Sequence, residues 1–193
     1  MYERFTDRAK LVMQLATKVA GEFNHEYIGS EHIMLGLLNE KSGGVARCVL
    51  TDLGISEYLE KSIRDNMTKG PEIVTMGLLP RTPRAALAIS KATEWTQKLN
   101  HSHVGTEHLL LGLLDVEDTV PMVLIQQSSV TVEAVRQRCL EFIGSKKIGD
   151  DPPLKCGGPI KLTTIAPILR AIAEGNWVRL IDGRLEIKPV LPE

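Results

Sequence analysis

Apolar residues recur along this chain at steps of three and four, in blocks separated by polar turns. Ala9, Val12, Ala16, Val19 and Phe23 share one face of a helix expected from about Asp7 to Phe23. Thr6 precedes it as an N-cap whose hydroxyl accepts from a free first-turn amide, and Asp7 puts negative charge where the helix dipole favours it. After the turn-like Asn24-His25-Glu26-Tyr27-Ile28-Gly29, Ser30 is expected to cap a second helix with Glu31 in its first turn. Ile33, Met34, Leu35, Leu37 and Leu38 leave that helix little polar surface, so it should be the buried centre of its unit. Gly36 within it costs about 1 kcal/mol against alanine, which implies close approach by a neighbouring helix. Beyond Gly43-Gly44, the residues Val45, Ala46, Val49, Leu50 and Leu53 predict a third helix, closed by Gly54 as C-cap with Ile55 folding back. Ser56 then caps a fourth through about Met67, with Leu59 and Ile63 inward.

The same pattern returns 76 residues later (105 − 29 between the leading glycines), and nine positions are identical between 24–38 and 100–114. Thr6-x-Arg8-Ala9 pairs with Thr82-x-Arg84-Ala85, and Gly29-Ser30-Glu31-His32 with Gly105-Thr106-Glu107-His108. Such agreement at a single offset marks an internal duplication. Lys69 to Pro80, with Gly70-Pro71, Gly77 and Pro80, breaks the helical period and reads as the connection.

In the second copy Thr82 caps a helix with Pro83 at its first position, and Ala85, Ala88, Ala92, Trp95 and Leu99 face inward. Thr106 is expected to cap the buried helix Glu107–Leu114. Pro121 suits the start of the next helix, whose end, Gln126-Gln127-Ser128-Ser129-Val130, lacks the glycine cap of the first copy. Thr131 caps a last helix from Val132 to Ile143, ended by Gly144. The expected fold class is all-α: a pseudo-twofold, duplicated four-helix repeat of eight helices.

Beyond a linker over 145–153, Thr164 caps a short helix ending at Gly175, and Trp177 to Ile187 reads as a β-hairpin turning at Asp182-Gly183. About 30 residues are too few to hold themselves together, so this appendage should dock on the helical part or on a partner. The domain organisation is therefore repeat 1 over 1–68, a linker over 69–80, repeat 2 over 81–144, a linker over 145–153 and the appendage over 154–193.

Composition narrows the function classes. A net charge of −1 with scattered Lys and Arg gives no basic face, which disfavours a helical nucleic-acid binder, the least favoured reading. No apolar run suits a signal peptide or a membrane span, so the cytoplasm is the expected location, without membrane attachment. Cys48, Cys139 and Cys156 are an odd number at wide spacings, which suits reduced, mostly buried thiols. His101, His103 and His108 invite a metal reading, but the first copy has Tyr27 in place of His103 and nothing completes a ligand set, so no metal is expected. His32 and His108 read as core or near-core histidines. No Ser, His and acid spacing suggests a nucleophilic site, so the chain is not read as an enzyme and no cofactor is implied.

Two copies of Phe/Arg-Thr-x-Arg-Ala, a helix, Asn-His, Ile/Val-Gly-Ser/Thr-Glu-His and Leu-Gly-Leu-Leu resemble the double N-terminal domain of the Clp unfoldases, most of all the ClpC type, over about residues 1–144. Members of that group continue into ATPase modules with a Gly-x-x-x-x-Gly-Lys-Ser/Thr loop, which this sequence lacks. The resemblance thus implies a stand-alone, non-catalytic binding module for client proteins or peptides, adaptors or a Clp unfoldase. An alternative is a regulator that competes with the unfoldase's own N-terminal domain. The ClpC type further implies two pockets for phosphorylated arginine, one per repeat. Carried over position by position, Glu31 and Glu107 would take the guanidinium group, and Thr6 with Arg8, and Thr82 with Arg84, would hold the phosphate. The chemistry is consistent with that assignment: a capped helix start beside an arginine attracts phosphate, and a carboxylate matches a guanidinium fork.

Overall fold

The computed structural model describes residues 3–71, 78–145, 177–181 and 184–188. Among them the apolar periodicity forms eight helices: α1 Asp7–Glu22, α2 Ser30–Asn39, α3 Val45–Asp52, α4 Ser56–Asn66, α5 Pro83–Lys98, α6 Thr106–Leu114, α7 Val120–Gln127 and α8 Val132–Ser145. They lie in one compact unit, Met1–Cys156; the strands β1 Trp177–Ile181 and β2 Arg184–Lys188 lie in a second, Gly157–Glu193. The duplicated all-α architecture expected from the sequence is the one observed. The strands pair antiparallel, with Ile181 opposite Arg184, so the expected hairpin is present. Asp182-Gly183 and the short helix expected from Thr164 to Gly175 lie outside the described residues.

Helix starts follow cap chemistry. The Thr6 hydroxyl accepts from the Ala9 amide at 3.2 Å, and the Thr82 hydroxyl from Ala85 at 3.2 Å. Thr131 does the same for Ala134 at 3.1 Å, and Thr119 caps α7 through Met122 at 3.4 Å. Three expected caps are corrected by one residue. Ser30, Thr106 and Ser56 are the first helical residues, and Gly29, Gly105 and Ile55 are the N-caps. Gly144 falls inside α8 rather than ending it.

The repeated Asn-His pairs are helix terminators. Asn24 and Asn100 take the left-handed conformation (φ 53° and 54°). His25 then donates its amide to the Ala20 carbonyl at 2.9 Å, and His101 to Thr96 at 2.8 Å, closing α1 and α5 in the Schellman pattern. Gly54 (φ 71°) ends α3 as expected, with the Ile55 amide on the Leu50 carbonyl at 3.1 Å. Where α7 lacks a glycine, Ser128 substitutes: its hydroxyl donates to the Ile125 carbonyl at 2.7 Å and accepts from the Val130 amide at 3.1 Å.

The buried helices α2 and α6 form the centre, with Ile33, Met34, Leu35, Leu37 and Leu38 facing Leu109, Leu110, Leu111 and Leu113 in one core. A Cβ on Gly36 would lie 2.5 Å from the Val12 carbonyl oxygen, and one on Gly112 would lie 2.3 Å from that of Ala88. The close approach expected at Gly36 is therefore real, and α1 crosses α2 as α5 crosses α6. The repeats also interlock. Helix α3 packs on α6 and α8 of the second repeat, and α7 packs on α2 and α4 of the first. Cys48 and Cys139 are both buried, as expected, and Cys139 is free; Cys156 lies outside the described residues. No described helix is long and apolar enough to cross a membrane.

Candidate functional site

The residues just before α1 and α5 pair with the other repeat. Phe5 makes a parallel bridge with Val104, and Arg81 with Ile28. The Thr6 amide donates to the Val104 carbonyl at 3.0 Å and the Val104 amide to the Arg4 carbonyl at 2.7 Å. Symmetrically, Thr82 donates to Ile28 at 3.0 Å and Ile28 to Pro80 at 2.8 Å. Each Thr-x-Arg helix start is thereby fastened to the loop that leads into the Gly-x-Glu helix of the other repeat.

An open cleft of about 470 Å³ lies at the first of these junctions, lined by Glu3, Phe5, Thr6, Asp7, Arg8, Lys10 and Val45 from one repeat and by His103, Gly105, Thr106 and Glu107 from the other. Thr6 and Arg8 thus face Glu107, not Glu31. Thr82 and Arg84 belong with Glu31 by the same pairing, since Thr82 bonds Ile28 three residues ahead of it. The cleft is thus built across the two repeats rather than within one.

The geometry around each glutamate is repeated in detail. Gly29 donates its amide to His32 Nδ1 at 2.8 Å, and Gly105 to His108 Nδ1 at 2.8 Å. The third helical residue therefore caps the helix backwards onto its own N-cap. An Nδ1 that accepts must carry its proton on Nε2, which faces His25 Nδ1 at 2.8 Å in the first repeat and His101 Nδ1 at 2.9 Å in the second. In the first repeat the relay ends with His25 Nε2 donating to the Thr68 carbonyl at 2.8 Å. Burial pushes the His32 and His108 imidazoles down to about 4, against the opposing pull of the Glu31 and Glu107 carboxylates. Both are neutral at pH 7, as core histidines.

The carboxylate of each glutamate folds over the N-cap glycine: a Cβ on Gly29 would meet Glu31 Oε1 at 2.1 Å, and one on Gly105 would meet Glu107 Oε1 at 2.4 Å. Ser30 Oγ donates to Glu31 at 3.2 Å and Thr106 Oγ1 to Glu107 at 3.4 Å. The two acids keep only 16% and 19% of their side-chain surface exposed, so each offers an anchored but reachable carboxylate.

His101, Glu107 and His108 place donor atoms within 4.8 Å of one another, the clustering a metal would need. Both ring nitrogens of His108 are already engaged by Gly105 and His101, however, so hydrogen bonding accounts for the cluster. Of the residues expected from the sequence, this cleft gathers Thr6, Arg8 and Glu107; Glu3, Phe5, Val45 and the rim residues Asp7, Lys10 and His103 were not among them. Only the Asn-His repetition signalled the relay behind the site.

A duplicated helical module with acidic and basic groups meeting at its repeat junctions is the class defined by these observations. The chain matches the Clp repeat (R) N-terminal domain twice, over residues 4–86 and 80–157, and belongs to that family. It is 37% identical over 188 residues, 95% of its length, to the negative regulator of genetic competence ClpC/MecB of Bacillus subtilis, of which it spans 23%. In structure it is similar to the Hsp104 N-terminal domain of Candida albicans, with a TM-score of 0.61 and 18% identity over 77% of this chain and 97% of that one. It is also similar to the ClpV N-domain solved in complex with VipB peptide, with a TM-score of 0.56 and 18% identity over 73% and 88% of the two chains.

Proposed function

We propose that this chain acts by binding rather than catalysis, as a receptor for client or adaptor peptides that recognises guanidinium groups, and phosphoarginine above all, at its two repeat junctions. The observation that carries the reading is the cleft in which Thr6 and Arg8 at a helix start face the anchored carboxylate of Glu107. Free first-turn amides and an arginine suit a phosphate, while a half-shielded carboxylate suits a guanidinium fork. Phosphoarginine carries both groups a few ångströms apart. The matching trio is Thr82, Arg84 and Glu31. Support for a peptide ligand comes from the likeness to the ClpV N-domain seen with VipB peptide.

Calorimetric titration of free phosphoarginine tests it. The wild-type chain should bind near two equivalents. Glu31→Ala or Glu107→Ala should each remove one, and the double variant both. A flat wild-type titration would overturn the phosphoarginine assignment.

A further inference from the structure

Helix α3 begins without a side-chain cap of its own. Gly44 is its N-cap, and the first-turn amide of Ala46 donates instead to Thr106 Oγ1 of the other repeat at 3.5 Å. Both residues are buried. The loop that delivers this amide is fixed from behind, because Glu40 accepts from the Ser42 and Gly44 amides at 2.7 Å each. It also lies hard against its target: a Cβ on Gly44 would stand 3.0 Å from Thr106 Oγ1.

A hydroxyl has one proton to give and lone pairs with which to accept. With the Ala46 N–H on a lone pair, the Thr106 proton is directed to Glu107 Oε2, 3.4 Å away. The acid of the cleft is therefore held by a group that α3 of the other repeat orients. Glu31 is held differently. Ser30 Oγ donates to it at 3.2 Å, but the second residue of α7, where α3 has Ala46, is Pro121, which has no N–H to offer. The cap of α7 comes from its own repeat, with the Met122 amide donating to Thr119 at 3.4 Å.

We propose that Thr106 is a positioning residue of the Glu107 cleft: its hydroxyl, oriented by the Ala46 amide of the other repeat, presets the Glu107 carboxylate for a guanidinium group, so that binding here depends on how α3 is seated. This rests on the reading under Proposed function and adds the group that prepares the acid. A glutamate free to rotate loses rotamer entropy when a ligand immobilises it, and one already held by a donor loses less. A carboxylate accepts at about four positions, so one bond from Thr106 leaves room for a bidentate fork.

Free phosphoarginine is titrated into full-chain Glu31→Gln, which leaves the Glu107 cleft, and into Glu107→Gln, which leaves the Glu31 site, each with and without Thr106→Val. Thr106→Val should weaken the Glu107 cleft by roughly tenfold and the Glu31 site far less. Thr106→Ser, which returns the hydroxyl, should recover the affinity. Ala46→Pro gives α3 the kind of start that α7 has and should weaken the same cleft. A further readout needs no variant: phosphoarginine added to the wild-type chain should shift the Ala46 amide resonance and slow its hydrogen exchange, although Ala46 does not line the cleft. An unchanged or tighter Glu107 cleft in Thr106→Val, or an equal loss at both sites, would overturn the proposal and leave the receptor reading standing. So would an Ala46 amide that ignores bound phosphoarginine, whatever the variants do. No binding of free phosphoarginine to the wild type would overturn both.

Discussion

The Thr6 amide donates to the Val104 carbonyl at 3.0 Å, tying the cap of the first helix to the residue that introduces the buried helix of the other repeat. Its counterpart, Thr82 on Ile28, does the same in reverse. Together with α3 on α6 and α8, and α7 on α2 and α4, these contacts make the two halves complete each other. Neither half alone should fold. Polypeptides covering 1–80 or 81–145 should each give a largely unfolded circular dichroism spectrum or self-associate, because Val45, Ala46 and Val49 lose the surface they pack on. A monomeric half with a cooperative thermal transition would refute the interlocked core.

Stability should fall with acidification before the carboxylates titrate. His32 and His108 are held neutral in the fold, with values lowered from 6.5 to about 4 by burial. Between those limits the unfolded chain binds more protons than the folded one, so stability is full above about pH 6.5 and is lost as pH falls toward 4. The groups facing each ring are Glu31, His25 and Tyr27 for His32, and Glu107 and His101 for His108. Each histidine should contribute a slope approaching 1.4 kcal/mol per pH unit. Urea titrations at pH 7.0, 6.0 and 5.0 measure it, and His108→Gln should flatten the slope by about half.

Two glycine-to-alanine changes should be destabilising and one should not. At Gly36 and Gly112 the added methyl meets backbone of the crossing helix at 2.5 and 2.3 Å, so α1 or α5 must be displaced. A cost of about 1–3 kcal/mol is expected. Gly21 in α1 has nothing within 4 Å, and Gly21→Ala should stabilise by roughly 0.5 kcal/mol through helix propensity alone. Thermal midpoints of the three variants decide it.

Glu40 should be the most sensitive acid of the first repeat. Its buried carboxylate accepts the Ser42 amide at 2.7 Å, the Gly44 amide at 2.7 Å and the Ser42 hydroxyl, and so holds the loop that delivers Val45 to the cleft. Glu40→Ala strands those amides and should cost about 1–3 kcal/mol. The second repeat has Val116 at the matching position, buried, so nothing there compensates. Denaturant unfolding of Glu40→Ala against wild type reads the effect.

What the sequence determined by itself was everything with a local or periodic cause. The helices, the threonine caps at Thr6 and Thr82, the glycine cap at Gly54 and the close approach at Gly36 follow from 3.6-residue periodicity, free first-turn amides and conformational freedom, all of which act within a few residues. The duplication was equally legible, because identity at one offset needs no structure. The caps lie one residue before Ser30 and Thr106 because the capping group there is the histidine three positions after Gly29 or Gly105, whose role depends on a second histidine in the turn before the helix. Only the tertiary structure decided which glutamate faces which arginine. Thr6 and Glu107 are separated by 101 positions (107 − 6), and their meeting depends on the repeats exchanging helix starts across the α2–α6 core. That is a choice between two symmetric pairings of identical motifs, and in a duplicated sequence both pairings are written with the same residues.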